Sequence, residues 1–130
     1  ELHPAKDEAL VLMGHGTEHY ADAVYAALDY QFKDLGHSNI FMGTVEGYPT
    51  LESVMRLVQK AGYRHVVLAP FMIVAGDHAN NDLAGDEEDS WKSVFEAAGF
   101  SVRCVLKGLG EYADIRKLLL SHAEKAMEQV

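Results

Sequence analysis

His15, Glu46 and His78 are the residues of this chain best suited to chemistry. They lie 31 and 32 residues apart, close to the length of one strand–helix unit. Side chains separated by one such unit occupy equivalent places at the same edge of a parallel sheet. They can therefore converge without being neighbours in sequence. Two imidazoles and a carboxylate suit a divalent transition metal that keeps open coordination positions. Each residue alone has a plainer reading. A single histidine after a strand is more often a loop or capping residue, and a glutamate before Gly47-Tyr48-Pro49 is usually a solvated turn residue. The repeated spacing, and the glycines beside two of these residues, raise a shared site to an even footing with three separate plain readings.

The elements that must position these residues follow from the hydrophobic pattern. The run Val66-Val-Leu-Ala-Pro-Phe-Met-Ile-Val-Ala-Gly-Asp-His78 reads as a buried central strand and its exit segment. Pro70 cannot donate to a ladder, so the strand over His65 to Ala69 ends there, and a loop runs through His78 to Gly85. Ala9 to Met13 is the first strand, followed by the tight Gly14-His15-Gly16-Thr17 turn. Thr17 is placed to cap a helix over about Glu18 to Leu35, with Val24, Ala27, Leu28 and Phe32 inward and Gly36 as its stop. Asn39 to Val45 is the second strand. Thr50 then caps a helix with Leu51, Val54, Met55 and Val58 inward, which Gly62 ends. Asp86 to Ser90 opens a helix through Ala98, its acidic residues complementing the helix dipole. Phe100 to Leu106 is the fourth strand, and Tyr112 to Gln129 the last helix, with Ile115, Leu118, Leu119, His122 and Met127 available to pack. Strands alternating with helices, without a hairpin signal, call for an α/β fold. The expected fold is a four-stranded parallel sheet with helices on both faces, in one domain over residues 1–130. In such open sheets ligands bind at the carboxyl ends of the strands.

Composition narrows the function. The net charge of −9 argues against nucleic acid and anionic membranes, and is compatible with attraction of cations. No apolar run reaches the length that spans a bilayer, and no signal peptide is visible at the N-terminus. The single Cys104, in an apolar strand pattern, reads as a small buried hydrophobe, and the lack of a disulfide fits a cytoplasmic location. Gly-His-Gly-Thr before a helix could cradle a phosphate, but it matches no nucleotide-binding fingerprint and brings no nearby lysine. Among the other histidines, His3 is in the tail, His37 in a turn, His65 at the opposite sheet edge and His122 on a helix. His19 is near enough to stand behind the ligands.

Three motifs carry a resemblance to a known family: Leu-Met-Gly-His-Gly-Thr at the first strand, Gly-Thr-Val-Glu-Gly-Tyr-Pro at the second, and Pro-Phe-Met-Ile-Val-Ala-Gly-Asp-His-Ala-Asn-Asn-Asp-Leu-Ala-Gly after the third. With them the chain resembles the anaerobic, CbiK-type sirohydrochlorin cobaltochelatases of cobalamin biosynthesis, class II chelatases related in fold to ferrochelatase. The likeness is to the C-terminal, metal-binding half of a two-domain enzyme with a chelatase or flavodoxin-like three-layer fold. It implies ATP-independent insertion of Co2+ into sirohydrochlorin or precorrin-2, a lyase activity. It assigns His15, Glu46 and His78 as metal-binding and catalytic residues. It also implies that Fe2+, Ni2+ or Zn2+ can substitute, that no nucleotide is used, and that the cleft is closed by an N-terminal half or a second copy of the chain. The alternatives are a sirohydrochlorin ferrochelatase, a non-catalytic metal or tetrapyrrole carrier, and an interaction domain of flavodoxin type. None of the arginines 56, 64, 103 and 116 can be assigned to the substrate's carboxylates from sequence.

Overall fold

The computed structural model describes residues 3–17 and 20–129. Four strands, β1 (Glu8–Gly14), β2 (Ile40–Thr44), β3 (His65–Pro70) and β4 (Ser101–Cys104), form one parallel sheet in the order β2-β1-β3-β4. The helices are α1 (Ala23–Asp34), α2 (Leu51–Lys60), α3 (Asp77–Ala84), α4 (Trp91–Ala97) and α5 (Ala113–Glu128), with short 3-10 turns at Tyr20–Asp22 and Leu109–Glu111.

Alternation along the strands sends side chains into two cores. Ala9, Val11, Met13, Val66 and Leu68 pack with Val54 and Val58 of α2, Leu83 of α3 and Phe95 of α4. Leu10, Leu12, Met42, Val67 and Ala69 face the other way, against Tyr25, Leu28 and Phe32 of α1. The central strands are thus covered on both faces, as their continuous apolar sequences require. Thr50 accepts the Ser53 N–H at the start of α2, as its position predicts. Gly36, Gly62 and Gly99 adopt positive φ after their helices.

Several expectations need correction. The predicted loop from His78 to Gly85 contains α3 instead. Its sequence is rich in Asn and Asp, which favour turns, but complete burial of Leu83 in the first core overrides that preference. The acidic run Asp86 to Asp89 precedes α4 rather than opening it, and Ser90 is the cap, accepting the Ser93 N–H. The predicted start of the first helix at Glu18, and His19, lie outside the described residues. Thr17 does not cap α1, which begins at Ala23 after a 3-10 turn. Val24 is 54% exposed, and Tyr25 takes the inward place instead. The largest difference is α5. None of its residues is buried, and Leu118, Leu119 and Met127 stand in solvent.

Candidate metal-binding edge

The turn after β1 is built by a glycine and held by a carboxylate. Gly16 adopts φ +81°, and a Cβ there would lie 2.7 Å from the Gly47 backbone nitrogen and from Thr44 Cβ. No other residue fits this approach at the end of β2. The β1–β2 ladder continues past the strand ends, with Val45 N–H bonded to Gly14 O at 3.0 Å and Glu46 N–H to His15 O at 2.9 Å. His15 and Glu46 are therefore neighbours across two parallel chains. Their side chains meet with His15 Nε2 3.9 Å from Glu46 Oε2. Both are largely exposed, so the pair contributes little to stability.

Asp22 ties the two turns together. Asp22 is 9% exposed, and its carboxylate accepts the Thr17 N–H at 3.1 Å and also the Tyr48 N–H. Thr44 Oγ1 adds a second tie by accepting the Gly47 N–H at 3.0 Å while donating to Pro49 O at 3.1 Å. Sequence reasoning missed Asp22. Asp22 falls within the helix expected from Glu18 to Leu35, where an Asp reads as an ordinary solvated residue, and its long-range partner at Tyr48 leaves no local trace.

His78 arrives differently. It is the second residue of α3, eight positions beyond the end of β3, whereas His15 and Glu46 lie one and two positions beyond their strands. The similar spacing in sequence thus conceals unlike placements. Even so, His15, Glu46 and His78 line one cavity of about 400 Å³, with Val45, Met72, Val74, Gly76, Ala79 and Asp82. His78 Nε2 lies 3.6 Å from Asp82 Oδ2, one helical turn on. Among the described residues, no group of three or more His, Cys, Asp or Glu side chains is close enough to hold a metal ion together. The rim carries two donor pairs, His15–Glu46 and His78–Asp82, on one cavity.

The exit segment of β3 forms another wall. Leu109 N–H and Gly110 N–H bond to Met72 O and Ile73 O at 2.7 and 2.8 Å, so the turn after β4 is pinned to it. A Cβ on Gly108 would lie 2.7 Å from Ile73 O, which explains the glycine. Arg116, at the start of α5, donates to Gly110 O at 3.2 Å, at this same edge. Arg103 instead pairs with Glu8 at 3.4 Å, at the start of β1, and Arg64 lines a cavity of about 200 Å³ beside Gly62 and Gly99 at the other end of the sheet. No metal-ligating side chain lines that smaller cavity. Cys104, expected to be buried, is only half-buried. Partial burial still pushes its thiol up from the ordinary value, which suits an inert residue.

Fold and rim together define a class: a parallel three-layer α/β domain with histidine and carboxylate donors at the carboxyl edge of its strands. Comparison with known proteins agrees. The cobalt chelatase (CbiK) family model matches residues 2–128, and the chain belongs to that family. It is 42% identical over 120 residues to the sirohydrochlorin cobaltochelatase of Salmonella typhimurium, covering 92% of this chain and 45% of that protein. It is 38% identical over 121 residues to the sirohydrochlorin cobaltochelatase CbiKC of Nitratidesulfovibrio vulgaris, covering 93% and 43%. The chain thus spans less than half the length of these relatives, consistent with a likeness to one half of a longer enzyme. In fold it is similar to a provisionally named cobalamin (vitamin B12) biosynthesis protein, CbiX, from Marinobacter aquaeolei VT8. The TM-score is 0.71 at 15% identity, over 95% of this chain and 99% of that one.

Proposed function

We propose that this chain is the metal-binding domain of a sirohydrochlorin cobaltochelatase, inserting Co2+ into sirohydrochlorin or precorrin-2 without a nucleotide. The observation that carries the reading is the gathering of His15, Glu46 and His78 around one cavity at the strands' carboxyl edge. The His78 side chain is 95% exposed, and exposed side chains change rotamer within nanoseconds. Rotation of that imidazole toward the His15–Glu46 pair would complete a two-histidine, one-carboxylate set. Such a set binds Co2+ and accepts Fe2+, Ni2+ or Zn2+ as substitutes.

In the reaction Co2+ exchanges these ligands for the four macrocycle nitrogens, and two pyrrole protons leave. No electrons move. The base must accept protons near neutrality, and imidazole is the side chain type suited to that. We assign the role to His15, which the departing metal releases beside Glu46. The net charge of −9 concentrates cations but repels a polycarboxylate substrate, so positive charge must be supplied locally. Arg116 lies at the right edge to do this, and Lys107, whose Nζ sits 4.4 Å from the Tyr112 ring centroid, follows β4 at the same edge.

We infer that a companion closes the cavity. An N-terminal chelatase half or a second copy of this chain would serve. The exposed apolar stripe of α5 favours such a companion. Among the described residues no helix is long and apolar enough to cross a membrane, and we place the reaction in the cytoplasm. The test is anaerobic conversion of sirohydrochlorin with Co2+ and with Fe2+, followed by absorbance. Faster turnover with Co2+ supports the reading. Faster turnover with Fe2+ makes the chain a ferrochelatase, and stoichiometric binding without turnover makes it a carrier.

A further inference from the structure

We propose that Asp82 is a positioning residue: its carboxylate orients the His78 imidazole so that one ring nitrogen keeps its lone pair toward the incoming metal. This rests on the reading of His78 as a metal ligand. His78 and Asp82 are four residues apart on α3, and neighbours at that spacing share a helix face. The separation of 3.6 Å from His78 Nε2 to Asp82 Oδ2 is within ion-pair distance and exceeds a hydrogen bond by a few tenths of an ångström. Asp82 is the better anchored of the two, with 35% of its side chain exposed against 95% for His78. The next residue, Leu83, is fully buried, so the helix beneath Asp82 is fixed to the core.

Asp82 lines the cavity that His15, Glu46 and His78 share. It also lines the adjoining cavity with Thr44, Thr50 and Glu52, and so stands in the wall between the two. A histidine that donates one N–H to a carboxylate has its tautomer fixed. Its other nitrogen becomes the ligand, with raised basicity. An imidazole as exposed as this one has no packing to orient it, so the carboxylate one turn on is the group able to restrict it. The result is a directed ligand on a mobile side chain, which can bind Co2+ and then release it to the macrocycle.

The test is titration of the purified chain with Co2+, read by the visible d–d absorbance, in the wild type, Asp82→Ala, Asp82→Asn, His78→Ala and the double variant. Removal of such a partner typically costs 10–100-fold in metal affinity. Asp82→Ala is expected to weaken Co2+ binding by about that factor, with the spectrum at saturation unchanged because the donor set is the same. Asp82→Asn, whose amide oxygen can still accept from the ring, is expected to recover most of the loss. In the His78→Ala background, Asp82→Ala should change nothing further. Equal losses in both backgrounds, or an altered saturated spectrum, would make Asp82 a field charge or a direct ligand and overturn the proposal. Full affinity in Asp82→Ala with loss in His78→Ala would sink the proposal but leave the metal site standing. Full affinity in His78→Ala would remove the site itself. Urea titration of each variant separates these outcomes from unfolding.

Discussion

The Asp22 carboxylate accepts the backbone N–H of Tyr48, 26 residues along the chain, and so joins the turn that carries His15 to the turn that carries Glu46. Its other oxygen takes the Thr17 N–H. Replacing Asp22 by Asn puts an amide donor against one of these N–H groups. An unsatisfied buried donor costs about 1–3 kcal/mol. Asp22→Asn is expected to lose stability in that range by denaturant titration, and to lower Co2+ affinity as the two turns part. Wild-type stability in Asp22→Asn would show that the Tyr48 contact is dispensable.

Gly16 makes a second prediction at the same corner. Its φ of +81° and the 2.7 Å that would separate an added Cβ from Gly47 N leave no room for a side chain. Gly16→Ala is expected to cost about 1–3 kcal/mol for the left-handed backbone, with more from the clash. Chemical denaturation measures the loss. Gly36 has a similar φ but nothing within 4 Å of the same position, so Gly36→Ala should cost less, and the difference between the two isolates the contact.

Arg116 is expected to act on substrate rather than metal. Its guanidinium lies at the carboxyl edge of the sheet, bonded to Gly110 O. Arg116→Ala should raise KM for sirohydrochlorin several-fold while leaving Co2+ affinity unchanged. Arg103→Ala, at the opposite edge, should leave KM unchanged. Equal effects from the two would mean that net charge, not position, governs substrate binding.

Glu8 supplies a pH-dependent prediction. The Ala5 backbone N–H, followed by Arg103, holds its carboxyl below the ordinary value despite an opposing contribution from burial. A depressed folded pKa contributes stability above the unfolded pKa, and that contribution disappears as pH falls through the folded one. Glu8→Gln should therefore lower Tm at neutral pH, with the difference shrinking below about pH 4, near the ordinary carboxylate range. A difference in Tm that stays constant from pH 7 to pH 3 would exclude this linkage.

The order of residues was enough to specify the sheet, because period and burial agree locally. The apolar runs Ala9 to Met13 and Val66 to Ala69 are short and continuous, one stopped by Gly14 and the other by Pro70, and they become central parallel strands. Spacing also nominated His15, Glu46 and His78, which share one cavity. Packing of the whole chain settled what depends on distant partners. It made α3 a helix by burying Leu83, against the preference of its asparagines. It placed His78 on that helix rather than at a strand end, and so gave it Asp82 as a neighbour. It also used Asp22 to join two turns, and left the apolar stripe of α5 uncovered where the pattern alone asked for burial. Periodicity reports which side of an element is apolar. What covers that side, and which distant N–H a carboxylate meets, is fixed only when all the elements have come together.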